Sequence, residues 1–183
     1  MKHFASQAFF SFYNFYEMKK KSKILLVYLL TLCGIIIWLG VIFLAPYLKS
    51  QSSGLQAFCY GIFSPICHQN PSRSFFLFGY PLSVCARCLG IYFGFLGGTG
   101  LYPFLNKFSN LTLPKTRIFI LMSLPVVIDT AGNFFRIWMT SNWPRFATGF
   151  IWGTILPFYF IIGLTDYFAR ENRTEDFTPE NIS

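Results

Sequence analysis

From Ile24 to Tyr47 the chain carries no charged residue. A helix of that length, rising about 1.5 Å per residue, crosses a hydrocarbon core about 30 Å thick. No water reaches backbone N–H and C=O groups there, so a long apolar run without alternation has to satisfy them internally, as a helix. Three more runs of this kind follow. The expected spans are residues 24–47, 85–105, 117–138 and 146–168. Pro125 and Pro157 fall inside the last two and read as kinks rather than ends. Charged residues make up 12% of the chain, against about 25% in an ordinary soluble domain. The expected fold is an all-α polytopic membrane helix bundle with four spans.

The flanks set the expected orientation. Lys19, Lys20, Lys21 and Lys23 precede the first span, Lys107, Lys115 and Arg117 separate the second from the third, and Arg170 and Arg173 follow the fourth. Lys and Arg concentrate on the cytoplasmic side, so both termini are expected in the cytoplasm of a prokaryotic cell. The first span is too long for a signal-peptide core and no small-x-small site follows it, which predicts an uncleaved signal-anchor. Residues 1–23, basic and rich in Phe and Tyr, predict an interfacial segment. Residues 169–183 are polar and aperiodic, and predict a disordered tail. The net charge of +8 is spent at span ends, where its expected partners are membrane lipids. No basic stripe interleaves with exposed aromatics, so no nucleic-acid partner is expected.

Between the first two spans lies a segment that is only partly polar. Leu55, Phe58, Cys59, Ile62 and Phe63 recur at helical spacing before Pro65, predicting a short helix. Phe75 to Leu82 is aromatic and contains Gly79-Tyr80-Pro81. Together they predict a re-entrant Cys/His loop over the mouth of the bundle, on the extracytoplasmic side. Gly90, Gly94 and Gly98 on the second span, and Gly149 and Gly153 on the fourth, form small-residue stripes of the kind that let helix backbones approach. Spans two and four are expected to touch along them.

The loop also concentrates the reactive groups. Cys67-His68-Gln69 is followed by Cys85-Ala86-Arg87-Cys88 at the start of the second span. Cys85 and Cys88 share one helix face, near free backbone amides and Arg87, all of which stabilise thiolate. Three readings stay open. In the first, Cys67, His68, Cys85 and Cys88 bind a metal, zinc being the ion suited to that ligand mix, with Cys59 able to replace one ligand. In the second, Cys85-x-x-Cys88 is a redox dithiol that passes electrons to a quinone or to a partner thiol. In the third, the cluster is a structural disulfide or a polar knot without turnover. Cys33, mid-span, reads as a small packing residue.

A second constellation lies in the third and fourth spans. Asp129, Asn133 and Arg136 are spaced to share one helix face, and an ionisable group inside a span is a candidate functional residue. Asp129 is expected about 14 Å below the outer end of its span. It either pairs with Arg136 or Arg145 to hold helices together, or faces the cavity under Cys85 and Cys88, where it orients His68 or relays a proton. Asp129, Asn133 and Arg145 are the candidate catalytic residues. Ser141 or Asn142 is expected to cap the fourth helix. Arg145 is expected at the rim with Arg73 and Arg87, where the three would receive an anionic group. That arrangement predicts the third functional class, a small transporter or lipid-handling protein, for which four spans suffice only in a homo-oligomer.

Cys67-His68-Gln69, Arg73-Ser74-Phe75, Cys85-Ala86-Arg87-Cys88-Leu89-Gly90-Ile91-Tyr92, Asp129 and Asn142-x-x-Arg145-x-x-Thr148-Gly149 resemble a family of multi-spanning prokaryotic membrane proteins, domain of unknown function 2085. The resemblance runs from about Cys59 to Gly163. It implies an integral membrane protein and carries over no reaction. Thr130 and Asn133 stand where the family tends to have Gly and Gln, and Met139 and Thr140 where a Glu often precedes the Ser/Asn pair.

Overall fold

The structure is a computed structural model. It describes the backbone of residues 2–51, 54–105 and 114–175, and the side chains of residues 22–51, 54–105 and 114–167. Its elements are α1 (Lys2–Ser50), α2 (Leu55–Phe63), a 3-10 turn (Pro71–Arg73), β1 (Phe76–Leu77), β2 (Tyr80–Pro81), α3 (Ala86–Leu105), α4 (Thr116–Phe134) and α5 (Asn142–Glu175). Four stretches are long and apolar enough to cross a membrane: Ser22–Ser50, Ala86–Leu105, Thr116–Phe134 and Asn142–Tyr167. The chain is an all-α membrane bundle.

The glycine stripes set its centre. A methyl group added at Gly90, Gly94 or Gly98 of α3 would land on the carbonyl oxygens of Phe146, Phe150 and Thr154 of α5. One added at Gly149 or Gly153 would land on those of Arg87 and Ile91. Both residue numbers rise together, so α3 and α5 run parallel with their backbones in contact. Nothing larger than hydrogen fits between them.

The outer helices lie antiparallel to this pair. Tyr28 stacks with Tyr102, Trp38 meets Tyr92 and Phe43 meets Phe93 edge-on, so α1 descends as α3 rises. On the other side Phe119 packs on Tyr159, and the Trp152 indole donates to Ser123 Oγ at 3.0 Å, joining α4 to α5. Ile24, Val27, Tyr102, Phe158 and Ile161 form the core at one end. At the other, Ile35, Leu39 and Ile42 of α1 pack with Phe63, Leu82, Val84 and Leu89. Leu30, Ile37 and Leu121 point outward and are mostly exposed, as lipid-facing residues are.

Several boundaries differ from the expected ones. The helix α1 is continuous from Lys2, so the basic aromatic segment runs into the first span without a break. The helix α4 stops at Phe134 rather than at 138. Ile137 N–H reaches back to Gly132 O, Arg136 N–H reaches Asn133 O, and Arg136 takes a left-handed φ of 56°. This is a helix-ending pattern that usually uses glycine, so Arg there gave no stop signal. The helix α5 begins at Asn142, earlier than expected, and continues to Glu175. Residues 169–175 of the expected tail are therefore helical, and 176–183 lie outside the described residues.

The loop between α1 and α3 is a packed cap. Phe63, Leu82, Ser83 and Val84 are almost completely buried, and Ser83 Oγ donates to Ile42 O at 3.4 Å. Phe76 pairs with Pro81 and Leu77 with Tyr80 in a two-residue hairpin. Both turn residues, Phe78 and Gly79, have positive φ, the mirror-image turn that matches strand twist. Lys49 at the end of α1 lies 5.5 Å from the Tyr60 ring and 5.2 Å from the Tyr80 ring, joining α1, α2 and the hairpin.

Candidate metal centre

Cys85 is the last residue before α3 and its carbonyl accepts the helix's first bond, from Leu89 N–H at 2.9 Å. Cys88 follows one turn later on the same face, and the two sulfurs are 3.5 Å apart. Cys67 reaches them because Phe63 anchors the end of α2, and Cys67 N–H bonds Phe63 O at 2.9 Å. Val84, fully buried, fixes the other end of the loop. The sulfurs of Cys67, Cys85 and Cys88 then lie within 4.8 Å of one another, in reach of one metal ion.

Three cysteine sulfurs at these separations are compatible with a bound metal ion. Tetrahedral geometry with Zn–S near 2.3 Å places bound sulfurs about 3.8 Å apart, close to the Cys85–Cys88 separation. The surroundings favour thiolate at Cys67, whose sulfur accepts the Cys85 backbone N–H at 3.1 Å. Hydrogen bonds from the Cys85 and Cys88 thiols, with that amide, hold the Cys67 thiol far below the usual thiol range. Trp38, Phe63 and Tyr92 pack around the site as an apolar wall.

His68 and Cys59 lie outside this set. His68 is exposed, whereas its neighbour Cys67 is buried. Cys59 is buried on α2. Among the described residues the trio Cys67, Cys85 and Cys88 is the His/Cys/carboxylate group that could hold a metal ion. Cys33 is exposed on α1 rather than packed.

Behind the thiols a polar network joins α3, α4 and α5. Arg87, between the two α3 cysteines, pairs with Asp129 of α4. This replaces the expected Asp129 pairing with Arg136 or Arg145. The early stop of α4 leaves Asp129 only about 7.5 Å from the helix end, within reach of the α3 start. Arg136, beyond the helix, is exposed and takes no part. Asp129 also accepts from the Thr140 hydroxyl at 2.6 Å and from Asn133 Nδ2 at 3.1 Å, and His68 is not among its partners. Asn133 Oδ1 in turn accepts from Arg145 at 2.7 Å. Arg145 is 7% exposed, buried rather than at the rim. Asn142, expected as a possible cap, donates across the fold to Ser74 O at 3.0 Å and ties α5 to the loop.

Gly149 makes this assembly possible. It presses against the Arg87 backbone, which sets the start of α3 one helical turn from Arg145. Thr140 went unrecognised in the sequence because its role depends on residues 135–141 folding back over α4. The one relevant signal was its position just before the Ser141-Asn142 pair.

The family model for the predicted membrane proteins of domain of unknown function 2085 matches residues 67–159. An uncharacterized protein of Methanocaldococcus jannaschii is 39% identical over 140 residues, covering 73% of this chain and 90% of the relative. An uncharacterized protein of Methanothermobacter thermautotrophicus is 34% identical over 87 residues, covering 48% of this chain and 77% of the relative. No solved structure matches the chain. The thiol trio, Arg87, Asp129, Asn133 and Arg145 all fall inside the matched region, and the chain belongs to the domain of unknown function 2085 family of predicted membrane proteins.

Proposed function

We propose that this membrane protein binds zinc through Cys67, Cys85 and Cys88 at the extracytoplasmic end of its bundle. The convergence of three sulfurs from two separate segments carries the reading. Two cysteines one helical turn apart are common in helices. A third, brought in by a buried loop and bonded to the helix's first amide, makes a ligand set. The positive-inside distribution of Lys and Arg supports the extracytoplasmic assignment. Three protein ligands leave a position for water or substrate, the arrangement of catalytic rather than closed structural zinc sites.

The second reading is thiol–disulfide exchange, favoured by the 3.5 Å separation of the Cys85 and Cys88 sulfurs. In it the dithiol loses two electrons and two protons to a quinone, giving a disulfide and a quinol. Metal and free-thiol content of the purified chain separate the two. Near one zinc per chain, with three thiols released to reagent by a chelator and the zinc lost in Cys67→Ser, supports the metal site. Absence of zinc together with a reducible Cys85–Cys88 bond supports exchange.

A further inference from the structure

We propose that Arg73, Arg87 and Arg145 form a receptor for a phosphate-class oxyanion beside the thiol trio. The three guanidinium groups come from the loop, the start of α3 and the first turn of α5. Ser74, next to Arg73, accepts from Asn142 in the same turn as Arg145, while Asp129 and Asn133 link Arg87 to Arg145, and Arg73 and Arg87 both add like charge near Arg145. Asp129 is the carboxylate among them, and its oxygens already accept from Arg87, Thr140 and Asn133. Arg145 bonds only the neutral Asn133 amide, and its buried Nε has no partner. The Nε of Arg87 is also buried without one. Arg73 makes no side-chain hydrogen bond or ion pair among the described residues and is exposed.

A buried donor left without an acceptor is costly, and like charges held together add to that cost. An oxyanion relieves both by accepting from the unused N–H groups of each planar fork. Three forks carried by three separate segments suit a group with several acceptor oxygens better than a carboxylate with two. The charges agree. Three guanidinium groups against Asp129 leave a surplus of two, and a divalent ion on three thiolates removes one of these. The site stays cationic with or without metal, so this inference stands apart from the zinc reading. A phosphodiester lipid headgroup and a free phosphate share the required chemistry.

The test uses the full chain delipidated in dodecyl maltoside, free of phosphate-bearing lipid before each arm, with zinc content measured on every sample. In one arm inorganic phosphate is titrated calorimetrically at constant ionic strength. In the other, retention of phosphatidylglycerol over phosphatidylcholine is read by native mass spectrometry. Saturable binding at one site per chain is expected in at least one arm. The first identifies a soluble phosphate as ligand and the second a headgroup. Arg73→Gln, at an exposed residue, is expected to weaken binding at least about tenfold with thermal stability and zinc content unchanged. Arg145→Lys keeps the charge but loses the fork, and is expected to fall between wild type and Arg73→Gln. Failure of both arms, or Arg73→Gln with wild-type affinity, would overturn the proposal.

Discussion

The Cys67 sulfur accepts a hydrogen bond from the backbone amide of Cys85, at 3.1 Å. A loop thiol thereby occupies the positive end of the helix that carries the other two thiols. Loop position, helix start and ligand geometry are one arrangement, so a change to any of them reaches the other two.

The α3–α5 contact admits no side chain. Gly94→Ala would drive a methyl group onto Phe150 O, and separating the helices is expected to cost about 1–3 kcal/mol. Gly40→Ala, in open space on α1, is the matched control and is expected to be neutral or slightly stabilising. Thermal unfolding in detergent measures both. The Gly94 variant is also expected to lose zinc, because α3 and the residue before it hold Cys88 and Cys85, two of the proposed ligands.

Arg87 and Asp129 are coupled across α3 and α4. Asp129→Asn leaves the guanidinium without its counter-charge, and a loss of about 3–5 kcal/mol is expected. The double variant with Arg87→Gln is expected to lose less than the sum of the single losses. A double-mutant cycle on unfolding free energies reads the difference; additive losses would mean that the pair contributes no coupling.

Much of this was legible in the sequence, for identifiable reasons. The spans are long charge-free runs, and the small-residue stripes on α3 and α5 sit at a spacing that means contact whatever surrounds them. The three thiols were legible as a group because cysteine is scarce beside lipid. His68 was a different matter. Its chemistry suits zinc, but its neighbour Cys67 takes the inward direction. The Arg87–Asp129 pair was hidden by the misplaced end of α4, where Arg136 adopts a conformation usually left to glycine. Asp129 was therefore set too deep and matched to arginines on its own side of the bundle.

Without metal, stability is expected to depend on pH through Cys67. Its folded-state pKa lies well below the usual thiol value, so between neutral pH and about 8.5 the unfolded chain binds the extra proton. The stabilisation is complete above the unfolded pKa and declines as pH falls towards the folded one. The melting temperature of chelator-treated protein is expected to rise from pH 7 to about 8.5, and Cys67→Ser to flatten that rise.

The orientation proposed from the distribution of Lys and Arg is directly testable. Cysteine placed at Ser72, exposed in the loop, is expected to react with a membrane-impermeant maleimide in intact cells. Cysteine placed at Lys115, exposed at the start of α4, is expected to react only after the membrane is opened. The reverse pattern would place the thiols in the cytoplasm.

Zinc K-edge X-ray absorption on the purified protein reads the proposed thiolate site itself. Three sulfur neighbours at about 2.3 Å and one lighter neighbour at about 2.0–2.1 Å are expected. That spectrum should be unchanged in Cys59→Ser and His68→Ala, and lost in Cys67→Ser. A four-sulfur shell, a histidine signal that disappears in His68→Ala, or no bound zinc under reducing conditions would contradict it.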